Sequence, residues 1–221
     1  MMSDCCIDYI NEMPHGVIAI LGSGKTFKSG TLYSLLDYCP GLMARKKAFY
    51  KFPNVKELFP SSLKSYTVDD LDDVEPDSIC IIEDANRVYP SRGSASKSDL
   101  QEWMGIISHK DILVMLTVQN TSNTDLAFFR DQNFIMLHKK MNATAISYER
   151  EEFRVNCQRA NLLIDQYSAL HNVPYHYVTY LPDFDEILIL DHPPEWYGYD
   201  QSHALRYYKI RKNKKEKEES K

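Results

Sequence analysis

The stretch that most constrains this chain is Gly16 to Thr31, where an apolar run, Val17 to Leu21, ends abruptly in Gly22-Ser23-Gly24-Lys25-Thr26. Leu32, Leu35, Leu36 and Cys39 follow at helical spacing. Strand, glycine loop and helix in that order commit the chain to an α/β fold. The glycines are expected to take positive φ and to turn successive N–H groups into a concavity, which the helix N-terminus makes more positive. Such a concavity holds phosphate.

Read as a Walker A loop, the segment gives each side chain a role. Gly22, Ser23 and Gly24 cradle the phosphates, Lys25 reaches the β- and γ-phosphates, and the Thr26 hydroxyl binds Mg2+. ATP and Mg2+ are the expected ligands. One feature departs from the strict pattern: the glycine required six residues before the lysine is replaced by Ala19.

A second signal turns phosphate binding into hydrolysis. Ile79 to Ile82 form a short apolar run closed by Glu83 and Asp84. A run of this kind suits a parallel strand buried on both faces, whose C-terminal end is where open α/β sheets bind ligands. As a Walker B pair, Glu83 serves the Mg2+ shell and Asp84 polarises the attacking water, although the usual order is aspartate then glutamate. Ile112 to Val118 reads as another buried strand ending in Gln119. Inserted between the two motif strands, it brings the Gln119 amide beside the γ-phosphate to sense it and orient water.

The other segments supply the frame. Residues 3 to 13 form a short amphipathic helix stopped by Pro14, Lys47 to Phe52 a second strand, and Asp69 to Glu75 a solvated acidic connection. Ser98 and Gln101 make a capping box ahead of the stripe Leu100, Trp103, Met104 and Ile107. Asn133 to Leu137 is a fifth strand, and Glu149 to Leu170 a long helix with Phe153, Cys157, Ala160, Ile164 and Tyr167 on one face. Val173 to Tyr180 and Glu186 to Leu190 suggest a terminal hairpin, and a helix is expected around Ser202 to Tyr208. His171, His176 and His192 lack metal-ligand spacing.

Composition narrows the class. The chain has 221 residues, 43% apolar and 26% charged, and a net charge of -5, which is enough for one domain with a real core and does not describe a nucleic-acid coat. Five cysteines without zinc spacing fit a reduced, cytoplasmic setting. No apolar run reaches the roughly twenty residues of a membrane span. The expected organisation is a single domain over 1–208 and a charged, disordered tail over 209–221, where the basic run that starts at Arg206 touches DNA phosphates or only solubilises the chain.

The run Gly22-Ser23-Gly24-Lys25-Thr26, then Glu83-Asp84-Ala85 with Tyr89, Pro90 and Arg92, then His109-Lys110 and a strand ending in Gln119, resembles the FtsK/HerA superfamily of P-loop ATPases. Within it the similarity is to Zot-like phage proteins and small viral genome-packaging ATPases, over about residues 16 to 138. The resemblance implies an ASCE-type P-loop NTPase with a mostly parallel central sheet flanked by helices and a C-terminal hairpin and helix extension. It further implies a homo-oligomeric ring that moves double-stranded DNA into a viral capsid through a portal, in an infected cell's cytoplasm or attached to the virion. In such a ring a neighbour supplies an arginine to the transition state. Arg92 is the first candidate, ahead of Arg87 and Arg130, and the loop from Gly93 to Ser98 with Lys97 is a candidate pore contact. The alternatives are a Zot-like extrusion ATPase, a nucleotide-binding scaffold with weak hydrolysis, and a small-molecule kinase.

Overall fold

The computed structural model describes residues 4–91 and 96–207. One eight-stranded sheet organises them: β1 (Gly16–Leu21), β2 (Lys46–Tyr50), β3 (Ser65–Val68), β4 (Ser78–Ile82), β5 (Leu113–Val118), β6 (Phe134–His138), β7 (Val178–Leu181) and β8 (Glu186–Ile189). Their spatial order is β3-β2-β4-β5-β1-β6-β7-β8. The first six run parallel, and β7 and β8 close the edge as an antiparallel hairpin. The α/β architecture with its terminal hairpin is therefore the expected one, with β5 inserted between β1 and β4.

Burial explains why these segments are strands. Every residue of β1, β4 and β5 is buried. Ile18 and Ile20 face one core, while Val17, Ala19 and Leu21 face the other. A strand covered on both faces reads as a continuous apolar run because alternation has no solvent side to serve. The first core is closed by helices α1 (Asp4–Glu12) and α2 (Lys28–Tyr38), through Cys6, Ile10, Leu32 and Leu36. The second is closed by α3 (Ser96–Ile106), through Leu100, Trp103 and Met104, and by α4 (Glu151–His171), through Cys157. Further along α4, Ala160 and Ile164 pack on Val178 and Tyr180 of β7, as its helical stripe requires.

Some sequence expectations need correction. Ser65 to Val68 is a strand that the sequence reading missed, a four-residue edge element with only Val68 buried. Helix α3 begins at Ser96, so Ser98 lies in its first turn and is not its cap. The expected C-terminal helix is a short turn over Tyr199–Ser202 followed by a 3-10 turn over Ala204–Tyr207. The basic tail beyond residue 207 lies outside the described residues. Among the described residues no helix is long and apolar enough to cross a membrane.

A candidate phosphate and metal site at the ends of three strands

The sheet registers Leu21 with Val118 and Ile82 with Leu116, so the C-terminal ends of β1, β5 and β4 lie side by side. Gly22, Gln119 and Glu83 each follow directly. A parallel sheet thus gathers three short sequence signals into one crevice, at the edge where such sheets bind ligands.

The loop after β1 differs from expectation in its backbone. Neither Gly22 nor Gly24 takes positive φ; the left-handed residues are Lys25 (φ 63°) and Phe27 (φ 67°). What demands glycine at 22 is close approach, since a Cβ there would lie 2.6 Å from Lys139 Cβ and 2.8 Å from Thr26 Oγ1. The loop runs to Phe27, and α2 starts at Lys28.

This later start changes which side chains meet the acids. Lys28 is buried, and its Nζ donates to the Ser23 carbonyl at 2.9 Å. Ser29 Oγ donates to Glu83 Oε2 at 2.5 Å. Lys25, the expected phosphate lysine, is exposed and makes no hydrogen bond or ion pair with the described residues. Thr26, the expected metal hydroxyl, is buried and donates to Ser23 O at 2.8 Å, inside its own loop. The lysine and hydroxyl that face the carboxylates stand three residues beyond the expected pair.

The shift also removes the irregular spacing at Ala19. Counted from Lys28, the glycine six residues earlier is Gly22, which immediately follows the strand. The position before the lysine is Phe27, in a backbone conformation that favours glycine, at a cost of roughly 1–2 kcal/mol for a residue with a side chain. Its ring sits edge-on to Tyr177 and Tyr197, at centroid distances of 5.3 and 5.9 Å, and the contact offsets part of that cost.

Glu83 is the most enclosed acid of the site. Besides the Ser29 bond, its Oε1 accepts from Tyr33 Oη at 2.6 Å. Burial pushes its pKa up, and the two hydroxyl donors pull it back. Burial likewise lowers the Lys28 pKa, opposed by the charges of Asp84 and Glu83. Asp84 is half-buried, with its backbone left-handed (φ 49°) and its N–H donating to Thr117 Oγ1 at 2.8 Å. Gln119 is exposed, and its Nε2 reaches Asp84 Oδ1 at 3.4 Å. Glu83, Asp84 and Gln119 are therefore brought together. Arg92 and the Gly93 to Ser98 loop with Lys97 fall outside the residues whose side chains are described. Arg87 donates to the Lys51 carbonyl at 3.2 Å.

Two cavities flank the loop. One, of about 320 Å³, lies between loop residues Lys25, Lys28 and Ser29, Asp84 and Gln119, and the C-terminal residues Tyr197 and His203. The other, about 780 Å³, is polar and uncharged, with Ser23, Asn86, Gln119, Asn120 and Asn142 in its walls. Asp84 and the two lysines line only the first, with Ser29, the partner of Glu83, in the same wall, which makes it the better candidate for phosphate chemistry. Sequence reasoning missed Lys28, Ser29, Tyr33 and His203. Gly22 and Lys28-Ser29 do have the strict spacing, but Phe27 in the glycine position conceals it.

No protein-family model and no curated protein matches the chain. Solved structures do. The genome packaging NTPase B204 from Sulfolobus turreted icosahedral virus 2, in complex with sulfate, is similar with a TM-score of 0.52 at 11% identity, covering 80% of this chain and 96% of that one. The same NTPase in complex with ATP-gammaS gives 0.50 at 12% identity, over 80% and 96%. The N-terminal domain of zonular occludens toxin from Neisseria meningitidis gives 0.40 at 18% identity, over 56% and 76%. The protein therefore has the P-loop NTPase fold seen in B204, over nearly that chain's whole length.

Proposed function

We propose that this protein is a Mg2+-dependent ATPase whose phosphate loop runs from Gly22 to Ser29, and that it works in a homo-oligomeric ring to drive double-stranded DNA into a viral particle. The observation that carries the hydrolytic part is the Ser29–Glu83 contact beside the buried Lys28. A hydroxyl in the first turn of α2 and a carboxylate at the end of β4 form a hard-oxygen pair of the kind that holds Mg2+ together with substrate phosphates and water. Ser29 and Glu83 would hold the ion, which when bound supplies charge neutralisation at the phosphates.

The rest is done by the chain itself. Lys28 releases the Ser23 carbonyl and binds phosphate oxygens. Gln119 and Asp84 position a water in line with the γ-phosphorus. Its oxygen attacks phosphorus while the bond to the bridging oxygen breaks, so ADP leaves with the electron pair and the water's proton passes to Asp84. The products are ADP and inorganic phosphate.

Movement of DNA into a particle is supported by the packaging-ATPase motif resemblance and by the shared fold with B204, whose name states genome packaging. Arg92 remains the candidate trans arginine. The test is ATPase activity with and without duplex DNA, measured beside oligomeric mass. A ring-sized species stimulated by duplex DNA is expected, with Lys28→Ala abolishing turnover. A monomer indifferent to DNA removes the motor reading, and turnover unaffected by Lys28→Ala removes the site.

A further inference from the structure

We infer that Lys25 is a second catalytic cation of this site, acting on the γ-phosphoryl group of its own chain while Lys28 holds the phosphates of the ground state. The inference rests on the reading of the pocket as a Mg2+–ATP site.

The loop places both lysines on the wall of one cavity, facing Asp84 and Gln119. Among the described residues that cavity has no arginine in its lining, so its permanent cations are these two lysines. They are held in opposite ways. Lys28 is buried, fixed on the Ser23 carbonyl, and its charge is met by Asp84 and Glu83. Lys25 is exposed on the loop crest, with no hydrogen bond or ion pair to the described residues. Its backbone is left-handed (φ 63°), as is that of Phe27 two residues on.

Charge accounting explains the use. Magnesium-bound ATP is itself an anion, and Glu83 and Asp84 add two more negative charges, against which Lys28 supplies a single positive one. In phosphoryl transfer the developing charge lies on the equatorial γ-oxygens and the leaving oxygen, and a cation placed there stabilises the transition state more than the bound substrate. A lysine solvated in the resting site contributes little to binding. It contributes most once substrate has displaced water and lowered the local dielectric. Lys25, three residues before the seated lysine and in the wall of the same cavity, is the side chain assigned to that role.

Lys25→Gln, Lys25→Arg and Lys28→Gln variants of the full chain, studied by single-turnover hydrolysis and by binding of a fluorescent ATP analogue with Mg2+, test this. Lys25→Gln is expected to slow hydrolysis by about 10²- to 10³-fold, with analogue affinity within about threefold of wild type and the same thermal midpoint. Lys25→Arg should recover most of the rate, and Lys28→Gln should lose binding. An equimolar mixture of Lys25→Gln and Lys28→Gln chains should stay as inactive as its parts, because no site then holds both lysines of one chain. The inference is overturned if Lys25→Gln hydrolyses at the wild-type rate, if it loses binding as Lys28→Gln does, or if the mixture regains activity, which would assign Lys25 to a neighbour's site. Wild-type protein that binds no Mg2+–ATP would instead overturn the site reading itself, and this inference with it.

Discussion

Phe27 and Gly30 occupy one volume: a Cβ on Gly30 would lie 2.2 Å from Phe27 Cζ. The ring can rest on α2 and reach Tyr177 and Tyr197 only because residue 30 has no side chain. Gly30→Ala is therefore expected to destabilise the fold by about 1–3 kcal/mol through overpacking. Phe27→Gly relieves the clash and the left-handed strain but gives up the aromatic contacts, so the double variant should be more stable than the sum of the single effects. Urea unfolding of the four proteins measures this; strictly additive losses would show that the two positions do not share space.

The metal hydroxyl should be found three residues beyond its expected place. Ser29→Ala is predicted to raise the Mg2+ concentration for half-maximal hydrolysis by an order of magnitude or more. Thr26→Val removes a bond within the loop and should lower stability by about 1 kcal/mol with a smaller change in Mg2+ dependence. A Mg2+ titration of both variants decides, and the reverse ranking would return the metal role to Thr26.

The two acids should fail differently. Glu83 accepts two hydroxyl bonds in a buried position, so Glu83→Gln should weaken Mg2+-dependent binding and turnover together. Asp84 is more open and touches Gln119, so Asp84→Asn should keep nucleotide affinity and lose about 10²- to 10⁴-fold in turnover. Analogue binding measured beside single-turnover rates separates them; equal losses of affinity in both variants would argue against divided roles.

The sheet strands were readable because burial on both faces leaves uninterrupted runs such as Ile79 to Ile82, and because Glu83 and Gln119 directly follow such runs. Strand β3 was not, since a short and half-exposed edge strand carries no apolar run. The loop's register was hidden by Phe27. A glycine there would have announced Lys28, but the turn is made instead by a residue held in place by Tyr177 and Tyr197, which only tertiary contacts reveal. For the same reason no local pattern could place His203 in one cavity with Lys25, Lys28 and Asp84.

His138 makes a pH prediction. It is fully buried at the end of β6, and burial pushes its pKa down to about 4. The unfolded chain takes up that proton near pH 6.5, whereas the native state resists it until about pH 4. The stability present above pH 6.5 is thus lost as pH falls through this window, by roughly 3 kcal/mol in all. Chemical unfolding at pH 7 and pH 4.5 should show the fall, and His138→Met should flatten it; an equal fall in the variant would assign the acid sensitivity to other groups.

The ring of Phe27 also gives the protein an order of construction. The phosphate loop is translated early, yet the tyrosines that brace it, Tyr177 and Tyr197, emerge from the ribosome far later. Without them the left-handed backbone of Phe27 has no aromatic contact to offset its cost. The loop between β1 and α2 thus takes the conformation seen here only once Tyr177 and Tyr197 have docked on Phe27.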